Sequence, residues 1–135
     1  KKLGKGKIIA FGELLRHLNT TKKNAKIAGV EKFLDISKVS VFDLDLKCKE
    51  KTVDQILCAP PNTSFELTEK KLQAIYEQMF YQADYVLTKK GTVGTIGGKR
   101  ELLLSAAEKH NFVLRWEKTL FQGKLPLQVM LFERK

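Results

Sequence analysis

The chain has 135 residues, 43% of them hydrophobic, and carries 25 Lys+Arg against 15 Asp+Glu for a net charge of +10. That is one domain's worth of protein with enough apolar side chain to fill a core, which excludes global disorder. No apolar run approaches the ~20 residues of a membrane span, and no small-residue cleavage site follows the basic-then-apolar start KKLGKGKIIAF, so the chain reads as cytosolic and off the membrane.

The elements follow in order. Lys7–Phe11 is short, apolar and β-branched, a buried strand. Leu14–Ala28 carries helical spacing, with Leu14, Leu15, Leu18, Thr21, Ala25 and Ala28 on one face and Gly29 as the stop. Ile36–Phe42 alternates as a second strand and is followed by Asp43 and Asp45, then by a charged loop over Lys47–Thr52. Gln55–Ala59 is nearly all apolar, as expected of a strand covered on both faces. Pro60 and Pro61 stop it. Thr68 caps a long helix reaching about Leu87, with a core stripe of Leu72, Ile75, Tyr76, Met79, Phe80, Ala83, Val86 and Leu87 to which no site is assigned. Gly91 restarts the chain into a strand over Thr92–Ile96, and Lys99–His110 is a helix. Phe112–Leu120 and Leu127–Phe132 form a hairpin turning at Gly123.

The order β-α-β-β-α-β-α-β-β predicts an α/β fold, a mostly parallel sheet with helices on both faces. The last connection is too short for a crossover, so the sheet ends in an antiparallel strand. No repeat, low-complexity segment or domain boundary is visible, and 1–135 reads as a single domain. The diffuse lysine excess favours a polyanionic partner, because neutralising phosphates releases condensed counterions. Cys48 and Cys58 read as free thiols, and with no CxxC and only the distant His17 and His110 there is no metal motif.

Five segments in this order, IIAFGELLRHLNTTKKNAKIAGV, VDQILCAPPN, LQAIYEQMF, VLTKKGTVGTIGG and HNFVLRWEKTLFQGKLPLQVMLFERK, resemble the C-terminal part of class I S-adenosylmethionine-dependent methyltransferase domains, specifically the THUMP-linked tRNA guanine-N2 methyltransferases. The resemblance implies a Rossmann-like sheet, S-adenosylmethionine as cofactor, and the exocyclic amine of a guanine in tRNA as target.

Residue by residue, the carry-over is partial. The family's Gly-rich loop leaves its first strand, whereas Gly4-Lys5-Gly6 enters a strand and reads as tail. The ribose-binding acid matches Gly12, with Glu13 one residue later as a substitute. Asp43 matches the acid beside the adenine amino group. The catalytic Asn-Pro-Pro-Tyr-type loop matches Ala59-Pro60-Pro61-Asn62, where Ala59 has no side-chain acceptor and Asn62 no ring. Phe65 is the candidate stacking surface for a flipped base. RNA cytosine-C5 methyltransferases share the GKIIAF-like strand, but Pro61 stands where their cysteine would be, and Cys58 lies inside a strand.

The family's first strand lies in mid-sheet, and no segment here matches it. The chain therefore reads as a methyltransferase-like domain incomplete at its N-terminus, with the first strand and Gly-rich loop supplied by a second chain or a preceding segment. Two functions compete: an RNA methyltransferase domain with degenerate motifs, inactive alone, and a non-catalytic module that binds RNA or pairs with an active subunit.

Overall fold

A computed structural model describes residues 6–135; Gly4 and Lys5 of the Gly-x-Gly lie outside the described residues. The chain forms two compact units, one running to Asp43 and one from Leu44.

In the first unit β1 (Ile8–Gly12) leads into α1 (Leu15–Ile27) and then β2 (Leu34–Lys38). The strands pair in parallel from Ile8↔Leu34 to Gly12↔Lys38. The amphipathic face of α1 buries Leu18 and Ala25. The predicted stop at Gly29 is observed: Val30 N–H reaches back to Ala25 C=O at 2.9 Å and Gly29 N–H to Lys26 C=O at 3.0 Å, which satisfies two helix-end carbonyls. The second strand sits earlier than the expected Ile36–Phe42. Its polar end coils instead, because Ser40 Oγ accepts Phe42 N–H at 3.3 Å and Ser40 C=O accepts Asp43 N–H at 3.0 Å. A serine that bonds its own backbone competes with the strand ladder, and Val41–Asp43 becomes a 3₁₀ turn.

The second unit contains α2 (Leu44–Lys47), β3 (Val53–Cys58), α3 (Glu69–Val86), β4 (Leu87–Ile96), α4 (Arg100–Lys109), β5 (Phe112–Gln122) and β6 (Leu125–Arg134). The short α2 takes Lys47 out of the expected loop. Buried Gln82 is the reason: its Oε1 accepts Asp45 N–H at 3.0 Å, a first-turn donor with no partner inside the helix. β4 begins at Leu87, so Gly91 lies within a strand. The register against β3 slips between Val53↔Leu87 and Gln55↔Thr92. A Cβ on Gly91 would stand 2.8 Å from Leu87 Cδ2 at that irregularity, a place where a strand glycine is expected.

The sheet order is β3-β4-β6-β5, with β3 parallel to β4 and β6 antiparallel to both its neighbours. The expected mainly parallel α/β architecture with a closing antiparallel hairpin is thus present. α3 and α4 cover one face. There Val93, Thr95, Met130 and Phe132 are buried, and the Phe80 ring sits 5.4 Å from Phe112 and 5.2 Å from Phe132. Aromatic pairs at such spacing contribute about 0.5–1.5 kcal/mol each beyond area burial. The register puts Leu57, Gly94, Ile96, Leu131 and Trp116 on the opposite face. That face is open: Leu57 is 74% exposed, Trp116 50% and Ile96 41%.

Candidate functional site

In open α/β sheets, ligands gather outside the carboxyl ends of the parallel strands, and the sequence-selected residues fall at such ends in both units. In the first unit Gly12 closes β1. Its neighbour Glu13 accepts a hydrogen bond from Ser40 Oγ at 2.7 Å, so the carboxylate after β1 is held toward the turn after β2. Asp43 ends that turn and is exposed. Glu13, Ser40 and the Asp43 backbone form one hydrogen-bonded group; Ser40 was not among the sequence candidates. Space does not force a glycine at position 12, since a Cβ there would meet only Leu18 Cδ2, at 3.8 Å. The two acceptor carboxylates suit a ribose and an adenine amino group, which both offer protons to carboxylates.

In the second unit Ala59-Pro60-Pro61-Asn62 leaves the carboxyl end of β3. Pro60 is half-buried and the other three are exposed. Asn62 Oδ1 accepts the N–H of Thr63 at 2.8 Å, so its amide oxygen turns back on its own loop. Ser64 and Leu67 close a small turn through two backbone bonds of 3.1 and 3.2 Å. Phe65, at the tip of that turn, is fully exposed, at 103%, and its ring is open for stacking. Thr68 Oγ1 then caps α3 through Lys71 N–H at 3.4 Å.

The loop is tied from below by a residue that the sequence placed only in the core stripe. The Tyr76 hydroxyl donates to Pro61 C=O and accepts from Lys99 N–H at 2.9 Å. Lys99 also pairs through Nζ with Glu69 of the first α3 turn. The available signal was the residue type: a buried tyrosine carries a hydroxyl that needs a partner. Burial raises the Tyr76 pKa further above neutral pH, where a phenol is protonated in any case.

Cys58 faces α3, with Sγ 3.6 Å from Met79 Sδ and 3.8 Å from Gly94 C=O. Burial pushes its pKa up to about 11, the opposite of what a nucleophilic thiolate requires.

The model of the family UPF0020 (RMKL-like, methyltransferase domain) matches residues 3–129. No curated protein sequence matches the chain. Among solved structures, TrmN from Thermus thermophilus superposes with a TM-score of 0.77 at 21% identity, over 96% of this chain and 36% of that one. SMU.472, solved in complex with SAH, gives 0.74 at 17% identity, over 95% and 32%. The Bacillus subtilis M1A22 tRNA methyltransferase TrmK gives 0.73 at 14% identity, over 96% and 50%. The chain thus spans about a third to a half of these proteins. At these identities the superpositions establish the fold, and the family match establishes the membership: the chain belongs to the RMKL-like methyltransferase domain family, of the THUMP-linked type.

Proposed function

We propose that both units belong to one S-adenosylmethionine-dependent methyltransferase domain directed at RNA, in the guanine-N2 class that the family resemblance implies, with its catalytic and cofactor motifs worn down. The observation that carries this is the Pro60-Pro61 loop at the carboxyl end of β3 with the exposed Phe65 ring beyond it. In this reading the first unit contributes the cofactor side chains, Asp43 toward the adenine amino group and Glu13, in place of a side chain at Gly12, toward the ribose. The bound cofactor supplies the methyl group. The second unit contributes the base-receiving loop, with the Pro60 carbonyl holding the amine and Phe65 stacking on the base. The net charge of +10 suits a polyphosphate partner such as tRNA, and the free thiols Cys48 and Cys58 suit the cytosol. Among the described residues no helix is long and apolar enough to cross a membrane.

Two features suit a site completed from outside this 135-residue sequence. β1 pairs only with β2 and β3 only with β4 among the described residues. The second unit also leaves Leu57, Ile96 and Trp116 exposed on one face of the sheet, where grouped apolar side chains mark a surface for contact. In this reading each open edge takes a strand from the rest of the same polypeptide or from a second subunit.

A second reading, a non-catalytic RNA-binding or partner-subunit module, is favoured by the chemistry of the loop: Ala59 has no polar side-chain atom and the Asn62 amide oxygen is engaged by Thr63.

Calorimetric titration with S-adenosylmethionine should show weak or no binding to the chain alone, and micromolar affinity would overturn the worn-down reading. Ala59→Asn with Asn62→Tyr should incorporate no labelled methyl into tRNA unless the missing strand is supplied. Incorporation by the double variant alone would refute the incomplete pocket. Incorporation by the complete protein at an atom other than guanine N2 would refute the assigned class.

A further inference from the structure

We propose that Tyr76 is a positioning residue for the Ala59–Asn62 loop, and that its hydroxyl locks that loop to the Gly97–Lys99 turn. The role rests on the reading of the loop as the base-receiving element.

The loop has few free torsions. Pro60 and Pro61 each fix φ near −65°, and the peptide planes between them are rigid. The path of the Pro60-Pro61 pair therefore turns on ψ at two residues, and the direction of the Pro61 carbonyl reports one of them. The Tyr76 hydroxyl donates to that carbonyl. Its ring is rooted in α3 with no exposed surface, so the donor cannot drift. The same oxygen accepts Lys99 N–H at 2.9 Å. Lys99 is the N-cap of α4 and has no side-chain cap of its own. One phenol oxygen thus ties together the segments that leave the carboxyl ends of the adjacent parallel strands β3 and β4.

Gly98 closes the arrangement. It has φ +82°, and a Cβ there would lie 3.0 Å from the Tyr76 oxygen, 2.9 Å from Leu103 Cδ1 and 3.4 Å from Pro60 Cβ. A hydrogen atom fits where a methyl group would push the phenol off Pro61. The neutral phenol is the form that can donate to Pro61 while accepting from Lys99. The Pro60 carbonyl, one rigid peptide upstream of the tie, inherits its direction.

The test compares the ¹⁵N-labelled chain with its Tyr76→Phe variant, which keeps the ring. The Lys99 amide signal should shift and exchange with deuterium roughly five- to tenfold faster, as expected for the loss of one hydrogen bond. The amides of Asn62 to Phe65 should lose dispersion while the Phe80 and Phe112 ring signals stay in place. A core role alone would move the ring signals and spare the loop, and that outcome overturns the proposal. Should the variant fail to fold, the native chain decides: the Tyr76 hydroxyl proton should give a slowly exchanging signal with a cross-peak to Lys99 N–H, and its absence overturns the tie. Guanosine monophosphate is then titrated against the Asn62 to Phe65 signals, with at least threefold weaker binding expected for Tyr76→Phe. Equal affinity would refute the positioning role. If the nucleotide moves no loop signal in the native chain while Lys99 responds to the substitution, the base-receiving reading fails and the tie itself stands.

Discussion

Replacing Gly98 by alanine should be far more costly than replacing Gly12, although Gly12 closes β1 and Gly98 follows the end of β4, both at candidate sites. At Gly98 the backbone has φ +82°, a left-handed conformation that costs a residue with a Cβ about 1–2 kcal/mol. The new methyl would also stand 2.9 Å from Leu103 and 3.0 Å from the Tyr76 oxygen. Both neighbours have no exposed surface, so neither can swing into solvent, and overpacking of that kind costs about 1–3 kcal/mol. The sum is about 2–5 kcal/mol, a large share of the roughly 5–15 kcal/mol that separates a typical domain from its unfolded state. A melting point lower by on the order of 10 °C should accompany it. At Gly12 the methyl would meet only Leu18, at 3.8 Å, and alanine should be neutral or stabilise by up to about 1 kcal/mol through the unfolded state. Urea denaturation followed by fluorescence of the single tryptophan, Trp116 on β5, isolates the second unit. Circular dichroism follows both. A loss below about 1 kcal/mol for Gly98→Ala, or equal losses for the two variants, would show that the packing argument is wrong.

Arg134 donates to Asp84 C=O at 2.6 Å and Leu87 C=O at 2.9 Å, and pairs with the Asp84 carboxylate; Arg134→Met should therefore cost roughly 1–3 kcal/mol in the same denaturation assay by stranding those acceptors. With its pKa at about 11, the Cys58 thiol should resist iodoacetamide at pH 8 in the folded chain and react once urea unfolds it; fast native alkylation would contradict the burial. Arg100 holds the Glu117 carboxyl below its ordinary range, and Lys109 does the same for Glu77. Folded pKa values lowered in this way contribute stability above the ordinary carboxylate range that is lost as pH falls through it. Arg100→Met with Lys109→Met should accordingly flatten the acid limb of a pH-melting curve, and an unchanged limb would show that these exposed pairs contribute nothing.

The sequence displayed the fold where period and punctuation agreed. The α3 stripe, the Thr68 cap, the stops at Gly29 and Pro60, and the hairpin turn at Gly123 all lie where local chemistry puts them, whereas of the expected α1 face only Leu18 and Ala25 are buried and Leu14, Leu15 and Ala28 are exposed. It misled where a side chain captured the backbone. Ser40 turned the end of an alternating strand into a 3₁₀ turn, and Gln82, polar within an apolar stripe, caps a helix that the sequence left as part of a loop. The β4 start was hidden because a helix and a strand meet without a gap at Val86–Leu87. For the site, residue type and order located Glu13, Asp43 and the Pro60-Pro61 loop. They could not disclose Ser40 behind Glu13 or Tyr76 beneath Pro61, because both links join residues 15 or more positions apart.

The place of β6 bears on how the second unit comes into being on the ribosome. Of the strands of that unit it is made after the others, yet it sits between β4 and β5 and supplies Arg134 to the end of α3. While the nascent chain still lacks it, among the described residues β4 has no partner on that side, β5 has none, and the Phe80–Phe112 ring contact lacks Phe132 as its third member. Synthesis adds about 5–20 residues per second, so β4 waits half-paired and β5 unpaired for a time set by translation. The second unit is therefore a candidate client for chaperones that shield emerging chains, and slowing translation across the β6 codons should lower its soluble yield more than slowing it across those for α1.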